Sequence, residues 1–304
     1  MQKMVFALAA AMLAASVEAA PVRPPITGIS HIAVYAADAA ASDDYYARIL
    51  GGHKAGDPED PHGVRYYFSP QQFVEVLPLG PDHGPSRLAH VAWNTADAAA
   101  LRAFLAARDQ PGLSPLRKDA NGSLWFETAD PEGNVVQFVQ PPTGDATAKK
   151  GAISGRMIHV GYMVRDRAAE DKFYRDLLGF RPYWYGAMKE GATDWISQQV
   201  PDGHDWLEYM MVGPGSTIPL DKVDARQLGV LNHFSLGVTN MEAAVTTLIA
   251  GNRMSQRHDG PSMGRDGKWQ ANLYDPDGTR AELMEFKPVT KPCCSDFTAE
   301  SPGG

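Results

Sequence analysis

Cysteine is scarce in this chain of 304 residues: there are two, Cys293 and Cys294, and they are adjacent. That excludes a disulfide framework. Neighbouring cysteines also rarely bridge each other, because disulfide geometry is restrictive, so no catalytic role is assigned to them. Positive charge is in deficit, with 28 Lys and Arg against 36 Asp and Glu and a formal net charge of −8. This balance argues against nucleic acid as the main partner, since phosphate binding favours a basic face. Long blocks of like charge, the mark of an interaction tail, are missing. Beyond the first residues no apolar run is long enough to cross a bilayer. What remains is 44% hydrophobic and 21% charged, the composition of a soluble globular protein with length for two domains.

The one long apolar stretch is at the start. Met1-Gln2-Lys3 gives a short basic beginning, Met4–Val17 is nearly all apolar, and Val17-Glu18-Ala19 offers small residues for cleavage. Residues 1–19 therefore read as a secretory signal peptide, and the expected location is exported, periplasmic or secreted. At the other end, residues 289–304 are rich in Pro, Ser and Gly and are expected to be a disordered tail.

Between these ends one pattern occurs four times. Histidine stands in Ser30-His31-Ile32-Ala33-Val34, Ala89-His90-Val91-Ala92-Trp93, Ile158-His159-Val160-Gly161-Tyr162 and Asn232-His233-Phe234-Ser235-Leu236. Seven positions after each histidine comes a residue suited to cap a helix: Asp38, Asp97, Asp166 and Asn240. The helices expected from these caps are Ala39–Leu50, Ala98–Arg108, Arg167–Leu178 and Met241–Ala250. Each unit closes on a strand-like segment with a carboxylate or amide: Glu75, Gln137, Glu208 and Glu282. The histidine-to-acid separations are 44, 47, 49 and 49 residues. A repeat this regular dominates every other signal in the chain. Imidazole with carboxylate is a ligand set for a divalent metal.

Strand alternation sets the faces. In the third unit Ile158, Val160, Tyr162 and Val164 are expected to face the helix, leaving His159, Gly161 and Met163 on the other side. Glu282 is preferred over Glu285 as the inward carboxylate because the two differ in parity. The turns Asp130-Pro131-Glu132-Gly133 and Asp275-Pro276-Asp277-Gly278 place Gln137 and Glu282 at the same height, four residues past the glycine. Ala146–Gly155, inside a connecting stretch at 143–155, divides the repeats two and two.

Taken together, the strand histidines, the caps, the Asp-Pro-x-Gly turns and the glutamate after the turn resemble the vicinal oxygen chelate superfamily. That superfamily includes glyoxalase I, extradiol catechol dioxygenases, epimerases and bleomycin-resistance proteins. The resemblance covers Thr27–Lys287. It implies an α+β fold of four βαβββ modules, paired into two open U-shaped mixed sheets at 27–142 and 156–288. It also implies a metal set of His159, Glu208, His233 and Glu282 in the second, catalytic half, with a second candidate at His31, Glu75, His90 and Gln137. Such N₂O₂ sites suit octahedral Mn, Fe, Co, Ni or an expanded Zn, whose identity the sequence leaves open.

The expected function is that of a metal-dependent enzyme acting on a small oxygenated molecule by isomerase, epimerase or lyase chemistry. The metal would act as Lewis acid toward an enolate, with Glu208 or Glu282 as general base. Trp195, Trp206, Tyr209, Trp269 and Tyr274 are candidates to shape the pocket. The alternative is an Fe(II) extradiol dioxygenase using His159, His233 and Glu282, with His204 in the place of that group's second catalytic histidine. Asn272 stands where those enzymes carry a tyrosine, which counts against it. A metal-free small-molecule-binding protein is the third reading. Partners are a small-molecule substrate, with neither nucleic acid nor membrane after leader removal, and the chain is a monomer or homodimer. The exported protein is expected to have the intact mass of a chain beginning at Ala20 or Pro21; a mass that includes Met1–Ala19 would refute the leader reading.

Overall fold

The computed structural model describes residues 21–81, 84–142, 151–223 and 231–303. The leader at 1–19 and most of the connecting stretch at 143–155 lie outside them. Each of the four units is one strand, one helix and three strands. The first is β1 (Ile26–Ala36), α1 (Ala39–Asp43), β2 (His53–Gly56), β3 (Val64–Tyr67) and β4 (Phe73–Pro78). The second is β5 (Leu88–Thr95), α2 (Ala98–Ala106), β6 (Arg117–Lys118), β7 (Leu124–Ala129) and β8 (Val135–Gln140). The third is β9 (Met157–Val164), α3 (Arg167–Asp171), β10 (Arg181–Gly186), β11 (Trp195–Gln199) and β12 (Trp206–Met211). The fourth is β13 (Leu231–Val238), α4 (Met241–Ala250), β14 (His258–Met263), β15 (Trp269–Tyr274) and β16 (Arg280–Glu285).

Two eight-stranded mixed sheets result, ordered β2-β3-β4-β1-β5-β8-β7-β6 and β10-β11-β12-β9-β13-β16-β15-β14. Within each unit the first and last strands are parallel neighbours, and the two first strands of a sheet meet antiparallel at its centre. This topology explains the sequence spacing: the helix and two strands between a histidine and its acid form the crossover that a parallel pair needs. No helix among the described residues is long and apolar enough to cross a membrane.

All four caps form. Asp38 accepts from the amides of Ala40 and Ala41, Asp97 from Ala100, Asp166 from Ala169 and Asn240 from Ala243. Each such cap contributes about 1 kcal/mol. The first and third helices depart from expectation in their second halves. α1 and α3 run on into π-helical turns at Asp44–Ile49 and Lys172–Leu177, closed by bonds from Leu50 N to Tyr45 O and from Leu178 N to Phe173 O. The wider turn lets two consecutive aromatics, Tyr45-Tyr46 or Phe173-Tyr174, both enter the core.

Those aromatics join the halves through paired contacts. Tyr46 donates to Asp275 at 2.8 Å, and Tyr174 donates to Asp130 at 3.3 Å. The amide of Ala37 donates to Asp277, and that of Arg165 to Glu132. Met157 N donates to Gln72 Oε1, while Ile29 N donates to Asp205 Oδ2. Each half thus grips the other with equivalent residues, and the two Asp-Pro-x-Gly turns are the docking points.

Two further expectations need correction. Ile158 does not join Val160, Tyr162 and Val164 under the helices; it packs on the other face with Trp206 and Met284. The register of β9 against β13 slips at Ile158, and the bulge reverses that one side chain. Nor is the tail loose. Val289 N bonds Gly267 O, Thr298 N bonds Tyr183 O, and Tyr183 Oη lies 2.6 Å from Ser301 Oγ. Phe297 packs at a tilt against Tyr183 and Trp184, and Cys293 is bonded to Cys294. Polar composition suggested disorder, but one aromatic and the unpaired edge of β10 supply enough partners to hold the segment.

Glu170, on α3, is fully buried at the junction between halves. Its Oε1 accepts from Glu132 N, and Oε2 has no hydrogen-bond partner among the described residues. Burial, then the charge of Asp130, pushes its carboxyl up to about 9. A carboxyl raised in the folded state gives its full stability below the ordinary carboxylate range and loses it as pH climbs toward 9. Glu170→Gln should therefore match the parent near pH 5 and melt higher at pH 9, by roughly 3 °C or more. Parallel melting curves with a constant offset would refute this.

Candidate metal centre

Every site histidine follows a β-bulge. The residue just before it (Ser30, Ala89, Ile158 or Asn232) is the one the partner strand skips. A bulge re-aims the next side chain, and here it turns all four imidazoles onto the sheet face away from the helices. Two rows of residues then cross the second sheet. One runs Ser197, Glu208, Gly161, His233, Arg280; the other runs Trp206, His159, Ser235, Glu282, Asn272. The first sheet repeats them as Arg65, Glu75, Ala33, His90 and as Phe73, His31, Ala92, Gln137, Glu127.

In the second half the four expected residues meet. His159 Nε2 lies 2.7 Å from His233 Nε2 and 3.2 Å from Glu282 Oε2. His233 Nε2 lies 3.6 Å from Glu208 Oε2 and 3.9 Å from Glu282 Oε2. Ligand atoms of His159, Glu208 and His233 all fall within 4.8 Å of one another. Trp206 stacks on His159 at 4.4 Å and fixes its ring. Gly161 leaves room for His233: a Cβ there would overlap the imidazole. Arg280 sits 2.8 Å from His233 Nδ1. A guanidinium only donates, so Nδ1 accepts and the ring proton lies on Nε2, inside the cluster.

Burial keeps both imidazoles neutral, lowering His159 and, with Arg280 adding to the effect, His233. Neutral imidazole is the ligating form. Glu208 is held at about 8, first by burial and then by the charge of Glu282; Ser197 Oγ donates to its Oε1 at 3.1 Å. Two carboxylates and two imidazole Nε2 atoms therefore converge in a space where Glu282 Oε2 has no hydrogen-bonded donor among the described residues. That donor set fits a divalent cation; ligation by His233 Nε2 would require the ring's other tautomer, with Arg280 turned from Nδ1, and uptake would strengthen with rising pH as Glu208 gives up its proton.

The first half holds the same frame with a different charge. His31 Nε2 and His90 Nε2 are 2.9 Å apart, Glu75 Oε2 is 3.8 Å from His90, and Gln137 Oε1 has no hydrogen-bond partner among the described residues. Arg65, which replaces Ser197 in the register, places its guanidinium against Glu75, Asp57 and Glu59 at 2.7–3.1 Å. Glu59 in turn accepts from Gln137 at 3.1 Å. The positive charge that a metal would bring to Glu75 is already supplied by the protein. The atoms could hold an ion, but the second half is better prepared for one.

Other candidates lie elsewhere. His204 is exposed in the turn before β12, and its backbone carbonyl accepts from Gln199. Tyr209 packs in the core beneath the helices, Trp269 is partly exposed, and Tyr274 stacks with Arg257. Trp195 packs beside Trp184. Of the five aromatics only Trp206 touches a site histidine. Glu285 caps α4 through Met241 N, on the helix side, as its parity requires. Sequence reasoning missed Arg280, Ser197, Gly161 and the buried Lys268, whose places depend on strand register rather than spacing along the chain.

A pair of βαβββ modules per sheet, with imidazoles and carboxylates on the face away from the helices, defines a class of metal-site scaffold. Residues 28–138 and 158–266 each match the Glyoxalase/Bleomycin resistance protein/Dioxygenase superfamily, and the chain belongs to it. A probable chloroplastic lactoylglutathione lyase of Arabidopsis thaliana is 29% identical over 143 residues, 46% of this chain and 38% of that protein. The chain thus matches well under half of that relative's length. The fold is that of a catechol 2,3-dioxygenase (TM-score 0.64, 15% identity, 92% of this chain and 96% of that one). It is also that of homoprotocatechuate 2,3-dioxygenase from Brevibacterium fuscum (TM-score 0.63, 19% identity, 93% and 85%).

Gly161→Ala tests the geometry. The added methyl must displace the His233 ring, so cobalt or manganese affinity should fall at least about tenfold, a cost of order 1.4 kcal/mol, with the circular dichroism spectrum unchanged. Unaltered affinity by calorimetric titration would show that His233 does not ligate.

Proposed function

We propose that this chain is an exported, divalent-metal-dependent enzyme whose metal is held by His159, Glu208, His233 and Glu282. The reaction is a proton-transfer isomerisation, epimerisation or lyase step on a small oxygenated substrate. The observation that carries the reading is the convergence of two Nε2 atoms and two carboxylates on one buried face. A metal there supplies Lewis acidity toward neighbouring substrate oxygens. Trp206 and Gly161 orient the imidazoles. Glu208 is the carboxylate suited to receive a proton, because Ser197 holds one oxygen and leaves the other facing the cluster. Export rests on the leader sequence alone. The similarity to a lactoylglutathione lyase supports the lyase class without naming the substrate.

A second reading is kept by one observation. His159, His233 and Glu282 alone make a compact triad, and the fold is shared with extradiol dioxygenases over most of the chain. In that case the metal is Fe(II). Against it stand a fourth ligand-type residue, Glu208, and the exposed position of His204. A metal-free small-molecule-binding protein is the remaining alternative.

Elemental analysis of untagged protein, purified without chelator, is expected to give about one equivalent of Mn, Co, Ni or Zn per chain. His233→Ala should abolish it. Iron together with oxygen uptake on catechol would move the assignment to the dioxygenase. Failure of every ion to bind after reconstitution would end both enzyme readings and leave the binder.

A further inference from the structure

Lys268 precedes β15 and is completely buried. Its Nζ has no hydrogen-bond partner among the described residues, and the nearest carboxylate oxygen in an ion pair with it, on Asp266, is 4.0 Å away. Three rings surround the ammonium instead: Trp206 at 4.6 Å, Phe297 at 5.0 Å and Tyr183 at 5.8 Å. Trp206 is the ring that stacks on His159, so Lys268 stands one aromatic layer from the metal cluster. It also lies in the field of Glu208 and Glu282. Phe297 belongs to the C-terminal segment, which crosses from the Arg265–Gly267 turn beside β15 to the edge of β10. The cage is therefore closed from outside by a strap rather than by the sheet.

A buried ammonium with unused donors is costly. Aromatic faces offset part of that cost, but they accept no conventional hydrogen bond. The donors are the wrong equipment for a metal and the right equipment for an oxyanion. Asp266 does not satisfy them: its Oδ2 stands 4.0 Å from Nζ, beyond hydrogen-bond reach, while its Oδ1 accepts from the Lys268 backbone amide at 3.2 Å.

We propose that Lys268 binds a carboxylate of the substrate, so that the substrate is a small organic anion with its carboxylate beside the two oxygens presented to the metal. The ammonium is then the specificity-determining group. The inference rests on the metal-site reading above, and the test separates the two.

Cobalt-loaded protein is titrated with acetohydroxamate and with the carboxylate-bearing monohydroxamate of succinate, following the cobalt visible bands. The parent should bind the carboxylate-bearing probe at least about tenfold tighter. Lys268→Met should erase that preference and leave acetohydroxamate within about twofold. Lys268→Arg should keep most of the preference and confirms that charge, not packing, is read. Equal affinities for the two probes in the parent, or a preference that survives Lys268→Met, would overturn the inference while leaving the metal site intact. If cobalt does not bind, the metal reading fails separately, and metal-free protein still decides the matter. Succinate should then change tryptophan fluorescence through Trp206 in the parent and not in Lys268→Met, and no change in either overturns the inference.

Discussion

The meeting of two histidines across the central antiparallel pair of each sheet is the constraint on which this architecture depends. It needs two strands in register, a bulge immediately before each histidine, and a small residue opposite each ring. Gly161 and Ser235 serve the second sheet, Ala33 and Ala92 the first. The flanking parallel strands then bring up the acids, since β12 and β16 lie directly against β9 and β13. Helices are packed on one face so that the other is free to carry polar groups. Without that division four buried ligand-type side chains would have no common space.

The two halves use the same frame for different electrostatic ends. Where the second has Ser197, the first has Arg65; where the second has Glu282, the first has Gln137. Exchanging a small hydroxyl for a guanidinium neutralises Glu75 internally and draws in Asp57 and Glu59 from the loop between β2 and β3. The second half keeps two carboxylates around two neutral imidazoles and places its cations, Arg280 and Lys268, outside the ligand space. The helices answer this division at the domain junction, where π turns in the first and third units carry paired tyrosines to the docking turns of the opposite half.

Much of this was legible because its causes are local or periodic. A residue seven positions past a histidine caps a helix in all four units, since strand, turn and cap are contiguous. Glu282 rather than Glu285 faces inward because strand alternation is strict over three residues. The π turns were hidden: nothing in Tyr45-Tyr46 distinguishes two core aromatics on a widened turn from one buried and one exposed. Ile158 was misplaced because a bulge leaves no signature in a single strand. The C-terminal segment looked loose because its partners, Tyr183, Gly267 and the edge of β10, are remote in sequence.

The sequence by itself determined the repeat, the secondary-structure order, the caps and the types of ligand residue, because each follows from chemistry within a few residues or from a spacing that a crossover must span. Only tertiary structure decided which charges stand beside which ligands. Arg65 against Glu75, Arg280 behind His233 and Lys268 behind Trp206 are set by strand register and by a tail that folds back. Electrostatic energy depends on distance through space, and those distances do not exist until the sheets form.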